Sequence, residues 1–202
     1  MEDHAGHKRV FLKILKINLF VFIAELTTAL YSGSLAMLSD SLDVSIHILA
    51  PFIAYISEFH FLNIPAKKIK KVASLMNISL FFLIAAIIAK EAWDRLSDPP
   101  NIKIGLFFVI VAFVGLAANI YNAKLLHEIP GHSCVQNIKP LFWHMVFDAG
   151  GSIIVIIATI TMYFSKMYIV DPILSIFLAG LMVLAAIKML VPKPSIHHES
   201  HF

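Results

Sequence analysis

Two pairs of an acidic residue and a histidine stand in apolar stretches of this sequence. Asp43 precedes His47 by four residues in the stretch that starts at Gly33, and His144 precedes Asp148 by the same spacing. In a helix, residues four apart lie on one face, one turn from each other. A carboxylate at the centre of a membrane helix costs about 2.5–3.5 kcal/mol on insertion scales. Both aspartates therefore need a partner that offsets this cost.

A metal ion would serve as that partner. If the two helices face each other, Asp43, His47, His144 and Asp148 supply two imidazoles and two carboxylates. This is a complete tetrahedral donor set for a borderline divalent ion such as Zn²⁺, and the ion neutralises both carboxylates. Taken singly, such a histidine could instead hydrogen-bond between helices, and such an aspartate could relay protons. Two pairs of the same composition and spacing favour the metal site.

The composition predicts the helices that would carry these residues. Of the 202 residues, 59% are hydrophobic and 14% are charged, and the mean hydropathy is +0.83. Soluble domains average roughly 45–50% apolar and about 25% charged residues. The apolar runs have the length of a bilayer crossing and lack strand-like alternation, which predicts an all-α polytopic membrane protein with six transmembrane helices. The expected helices cover about 10–31, 34–59, 72–93, 104–126, 141–164 and 168–191.

The distribution of positive charge predicts the orientation. If both termini lie on one side, that side holds all Lys and Arg residues except Lys90, Arg95, Lys103 and Lys166. Both termini are therefore expected in the cytoplasm, with the lysines of 67–71 beside anionic lipid headgroups. The expected parts are a cytoplasmic tail over 1–9, a transport domain over 10–192, and a cytoplasmic tail over 193–202 without a soluble domain. Membrane lipid, and no nucleic acid, is the expected partner.

Further stretches add a family resemblance through their order and spacing. They are Glu25 followed by GSLAMLSDS from Gly33, Arg95-Leu96 with Pro99-Pro100, GLAAN from Gly115, LFWH from Leu141 through Asp148 to Gly151-Ser152, and DPILS from Asp171. From the first helix to the last, the chain resembles the cation diffusion facilitator family of divalent-metal transporters.

The resemblance implies a transport site with two ligands on the second helix and two on the fifth. Asp43, His47, His144 and Asp148 fall on these positions, although zinc members commonly show HxxxD or DxxxD where this chain has DxxxH. Glu25, Asn119 and Asp171 fit family positions that line the path or pair between helices. Asp40 is either an auxiliary ligand or relay, or a hydrogen-bonded structural residue.

The implied activity is secondary transport rather than enzymatic catalysis. The expected protein exports Zn²⁺ in exchange for protons, with Cd²⁺, Co²⁺, Fe²⁺ or Mn²⁺ as other substrates. It is expected to be a homodimer in the cell (inner or plasma) membrane. The chain stops soon after the sixth helix, which resembles either members that lack the C-terminal cytoplasmic domain or a truncated chain.

Three other classes compete with transport of metal. The main one is an intramembrane metal-dependent hydrolase, although the sequence contains no HExxH motif. The others are a helical bundle held by buried polar residues, and a proton-coupled transporter of organic ions, which needs a roomier cavity.

Residues of metal-ligand type also occur outside the predicted site, in the link between the fourth and fifth helices and near both termini. One hypothesis is that they collect metal for the site. The other is that they belong to a solvated loop and two tails without a role in metal binding. These residues are His127, His132, Cys134 and the histidines near both termini, His4, His7, His197, His198 and His201.

Overall fold

The computed structural model describes residues 2–58, 66–127 and 138–190, and its regular structure is helical. A helix pairs its backbone groups within one segment, which is what hydrocarbon surroundings require. The described residues contain no strand, so the prediction of an all-α membrane protein is confirmed. The helices are α1 (Glu2–Ser32), α2 (Leu35–Glu58), α3 (Ala66–Ser97), α4 (Leu106–His127), α5 (Ile138–Ser165) and α6 (Val170–Leu190).

Within the described part of the chain, five stretches are long and apolar enough to cross a membrane. α2 carries Asp40 and Asp43. The 21 residues of α6 extend over about 30 Å at 1.5 Å per residue, the thickness of a hydrocarbon core. Large apolar side chains cover the outer surface. The five stretches are Leu12–Ser32, Leu75–Ser97, Leu106–Leu125, Asp148–Ser165 and Val170–Leu190.

Two helices begin earlier than the apolar runs predict. α1 begins at Glu2 rather than near Val10, and α3 begins at Ala66 rather than near Val72. Hydropathy marks the segment that suits hydrocarbon, whereas helical hydrogen bonding continues through polar residues such as lysine that have good helix propensity. The lysines of 67–71, expected in a link, therefore lie in the first turns of α3.

The packing places α2 among several partners. It contacts α1, α3, α5 and α6, while α1 also packs on α4, and α4 packs on α5. The most extensive contact joins α3 and α6, where Ala85, Ala92, Ala179 and Ala186 are buried. Small residues let membrane helices approach closely. By contrast, α2 and α5 touch only sparsely.

A sharp corner joins α1 to α2 at the distal end of the bundle, by which we mean the end where α1, α3 and α5 finish. Gly33 has a φ of 78°, and its N–H donates to the carbonyl of Ala29 at 2.9 Å. This left-handed conformation closes a helix and favours glycine. Tyr31, Trp93 and Phe164 are strongly exposed at this end, which suits an aromatic belt at a membrane interface.

We expect Gly33→Ala to lower the free energy of unfolding by about 1 kcal/mol, because a Cβ disfavours the left-handed region. The space around Gly33 is open, so the backbone conformation alone causes the loss. Gly105→Ala is the matched control, since its added Cβ also meets nothing within 4 Å and its φ is not positive. Unfolding by SDS in mixed micelles measures both variants. Equal stability of the two would contradict the expectation.

Candidate metal site

The two aspartates of the predicted site meet between α2 and α5. The side chains of Asp43 and Asp148 are hydrogen-bonding partners. Ionised carboxylates offer acceptors only, so two carboxyl groups stay together only with a cation, either a proton or a metal, between them. α2 and α5 therefore face each other at these two residues, which is the condition that a shared four-ligand site requires.

His47 and His144 lie on the same two helices. His47 follows Asp43 by one turn within α2, and His144 precedes Asp148 by one turn within α5. Both helices are uninterrupted over these residues, so each pair shares a helical face as the spacing requires. The described side chains do not include those of the two histidines. Metal ligation by the four residues stays a prediction.

Among the side chains that are described, no group of three or more His, Cys, Asp and Glu residues is arranged to hold a metal ion. The carboxylates of Asp43 and Asp148 supply two oxygen donors of the predicted set. A tetrahedral site needs two more ligands. The predicted site accordingly depends on both histidines. The loop and terminal residues His132, Cys134, His197, His198 and His201 lie outside the described part of the chain.

Asp40 lies beside the two aspartates and joins a polar network. It interacts electrostatically with Asp43 and Asp148. Asn119 on α4 donates through Nδ2 to Ser152 Oγ at 3.1 Å, and Ser152 Oγ lies 3.5 Å from Asp40 Oδ2, a long hydrogen bond. The network links α4, α5 and α2, so Asn119 pairs between helices, which is one of the two roles given for it above.

A second buried polar pair joins α1 to α4. Asn122 donates through Nδ2 to Asn18 Oδ1 at 2.7 Å, and both residues are buried. Neither residue was singled out as a site candidate from the sequence. An asparagine inside an apolar membrane helix needs a polar partner on another helix. The position of both asparagines within apolar runs is therefore the feature of the sequence that could have indicated the pair.

Asp171 fixes the end of α2 that leads to the site. Its carboxylate accepts hydrogen bonds from Ser34 Oγ at 2.6 Å, from the Leu35 N–H at 2.7 Å and from the Ala36 N–H at 3.2 Å. A helix leaves its first N–H groups without intrahelical partners, and an acidic group there also complements the helix dipole. A residue of α6 thus caps α2.

Arg95 adds a third helix to this attachment. It donates through Nη1 to the carbonyl of Gly33 at 2.7 Å and through Nε to Glu91 Oε1 at 2.9 Å, and it attracts Asp171 electrostatically. The start of α2 is therefore held by both α3 and α6. Because Asp40 and Asp43 follow the start of α2 by about one and a half and about two turns, this attachment sets their depth in the bundle.

Comparisons with known proteins identify the family of this chain. Residues 12–195 match the family model described as the cation efflux transmembrane domain. The chain is 30% identical over 200 residues to the zinc transporter ZitB of Pectobacterium atrosepticum, covering 96% of this chain and 61% of that protein.

Two further relatives carry related names. The cadmium, cobalt and zinc/H(+)-K(+) antiporter of Bacillus subtilis is 28% identical over 169 residues, which cover 84% of this chain and 53% of that protein. The metal cation efflux system protein CzcD of Cupriavidus metallidurans is 31% identical over 192 residues, with 90% and 59% covered. The chain thus spans less than two thirds of the length of each of these relatives. Since the family model covers most of this sequence, the chain belongs to the cation efflux family of membrane transporters.

Proposed function

We propose that this protein exports a divalent metal cation, foremost Zn²⁺, across the membrane in exchange for protons. The observation that carries the proposal is the meeting of Asp43 and Asp148 between α2 and α5. A cation has to hold these carboxyl groups together, and a proton and a divalent metal are alternative occupants. Metal binding to carboxylate and imidazole releases protons, so loading of one ion accompanies release of the other.

The donor set supports zinc as the preferred ion. Two imidazoles and two carboxylates from Asp43, His47, His144 and Asp148 suit a borderline divalent ion with tetrahedral coordination. The relatives' names support the same range of substrates, since one is a zinc transporter and another a cadmium, cobalt and zinc antiporter. Nothing observed favours the alternative of a metal-dependent hydrolase.

The proposed orientation in the membrane follows from the charge distribution. With both termini in the cytoplasm, the distal end faces the far side of the cell membrane, and Lys90, Arg95, Lys103 and Lys166 belong to that end. A homodimer is the proposed assembly, which analytical ultracentrifugation of the purified protein in detergent would test.

Transport in proteoliposomes tests the proposal. We expect an imposed proton gradient to drive uptake of Zn²⁺, with Cd²⁺ and Co²⁺ as weaker substrates and with Mn²⁺ and Fe²⁺ weaker still. Nigericin, which collapses the gradient in potassium buffer, should reduce uptake to the level of empty liposomes. Uptake by the wild-type protein no faster than in empty liposomes, or unaffected by the gradient, would refute metal/proton exchange.

A further inference from the structure

Glu25 on α1 is a buried carboxylate that the four proposed metal ligands leave unused. Its side chain is only 1% exposed, and its Oε2 atom has no hydrogen-bond partner in the described structure. Residue 115 on α4 is a glycine, and the Oε1 atom of Glu25 lies where the Cβ atom of any other residue at this position would be. The absent side chain of this glycine therefore makes room for the carboxylate between α1 and α4.

The charged groups that act most strongly on Glu25 are carboxylates. They are Asp40 and Asp43, both on α2, which packs against α1. The other helix packed against α1 is α4, which contributes Gly115 beside the carboxylate. Buried carboxylates are normally paired with a positive group or fully hydrogen-bonded. The described surroundings of Glu25 provide neither.

The divalent ion of the proposed metal site does not neutralise two further buried carboxylates, Glu25 and Asp40. A divalent cation held by neutral imidazoles is already neutralised by Asp43 and Asp148. Glu25 and Asp40 add two further negative charges to the same interior, and Asp40 has one long hydrogen bond from Ser152. Additional positive charge is therefore needed next to the metal site.

The donor atoms of Glu25 and Asp40 indicate which kind of ion could provide it. Carboxylate oxygens suit hard cations or a proton, whereas zinc and related metals prefer sites with imidazole or thiolate. The residues in question offer oxygen alone.

We propose that Glu25 and Asp40 form a separate site for the monovalent counter-cation that is exchanged for the divalent metal. The inference rests on the proposed antiport function and names the residues that carry its second ion. Asp43 belongs to the metal ligands and acts electrostatically on Glu25. Occupancy of one site therefore alters affinity at the other, and this coupling is reciprocal.

Glu25→Gln tests the assignment because it removes the charge and nearly preserves the side-chain shape. Three quantities are measured for the purified full chain: zinc affinity in detergent, exchange of labelled for unlabelled zinc without any gradient, and zinc accumulation driven by a gradient. The gradient is imposed as protons alone or as K⁺ alone, so the ion that drives the wild-type protein identifies the counter-cation. Asp94→Asn, the same chemical change at an exposed site on α3, is the control.

We expect gradient-driven accumulation by Glu25→Gln to fall about tenfold or more, while zinc still binds and, at saturating zinc, labelled zinc exchanges within about twofold of wild type. Accumulation equal to that of Asp94→Asn under both gradients would overturn the assignment. Loss of zinc binding together with exchange would also overturn it, because Glu25 would then belong to the metal site. If the wild-type protein accumulates no metal, the antiport function itself fails.

Gly115→Ala provides a second test that changes no ionisable group. Its Cβ collides with the Glu25 carboxylate and has to displace it. We expect gradient-driven accumulation to fall about threefold or more with zinc exchange retained. Gly180→Ala on α6, where an added Cβ meets nothing within 4 Å, is the matched control. Gly115→Ala decides the question if Glu25→Gln does not fold. Gradient-driven accumulation by Gly115→Ala equal to that by Gly180→Ala would refute the site.

Discussion

Replacement of either Asp43 or Asp148 by asparagine should lower zinc flux in proteoliposomes by at least about 100-fold. Changes in the outer shell of a metal site already reduce affinity or activity about 10- to 100-fold, and loss of a direct ligand costs more. Asparagine keeps the volume of the side chain but removes the charge that neutralises the ion. The two residues meet between α2 and α5, so either change leaves the other carboxylate without its counterpart.

The double variant separates a shared site from two independent ones. If both aspartates bind the same ion, Asp43→Asn with Asp148→Asn should transport no more slowly than either single variant, because coupled residues are not additive. Isothermal titration of zinc into the detergent-solubilised protein should show the same pattern. Asp94→Asn, at an exposed pair with Lys90 on α3, should keep its flux within about twofold. Wild-type flux in both single variants would contradict the site.

Asp171→Ala should destabilise the protein by about 3 kcal/mol or more. The change removes one acceptor from three buried donors, which are the Ser34 hydroxyl and the backbone N–H groups of Leu35 and Ala36. Each buried donor left without a partner costs about 1–3 kcal/mol, and Arg95 loses the opposite charge nearby. The magnitude should be measured as the free energy of unfolding in SDS titrations.

A graded series distinguishes capping from general packing. Asp171→Asn retains an oxygen acceptor, so its stability should fall between that of the wild type and that of Asp171→Ala. Asp94→Ala removes an exposed carboxylate paired at 2.9 Å with Lys90, and such solvent-exposed pairs contribute little to stability. If Asp171→Ala were as stable as Asp94→Ala, the capping role would have to be abandoned.

The number and type of helices could be predicted from the sequence because hydrophobicity is a local property. Each apolar run is long enough to cross the hydrocarbon core, where the backbone N–H and C=O groups must hydrogen-bond to each other. Within a single segment, only a helix provides these hydrogen bonds. Helix ends were predicted less well. The starts of α1 and α3 lie in polar residues, such as the lysines of 67–71, where hydropathy carries no information about hydrogen bonding.

The candidate site shows a similar division. The meeting of Asp43 with Asp148 could be anticipated because two matching pairs of ligands on two helices favour a common site. The cap that Asp171 places on α2 and the space that Gly115 leaves for Glu25 could not be derived from spacing. Both depend on how distant segments pack, and a capping carboxylate looks the same in sequence as one that lines a path.

The contact between Asp171 and Ser34 also bears on the biosynthesis of the protein. These residues are separated by 137 positions, which ribosomes need on the order of ten seconds to translate at about 5–20 residues per second. Until α6 emerges, the first N–H groups of α2 lack their acceptor. α6 thus completes a structure begun by α2, and a nascent chain that ends before Asp171 presents an unsatisfied polar helix end. Folding of this region is therefore tied to the synthesis of α6.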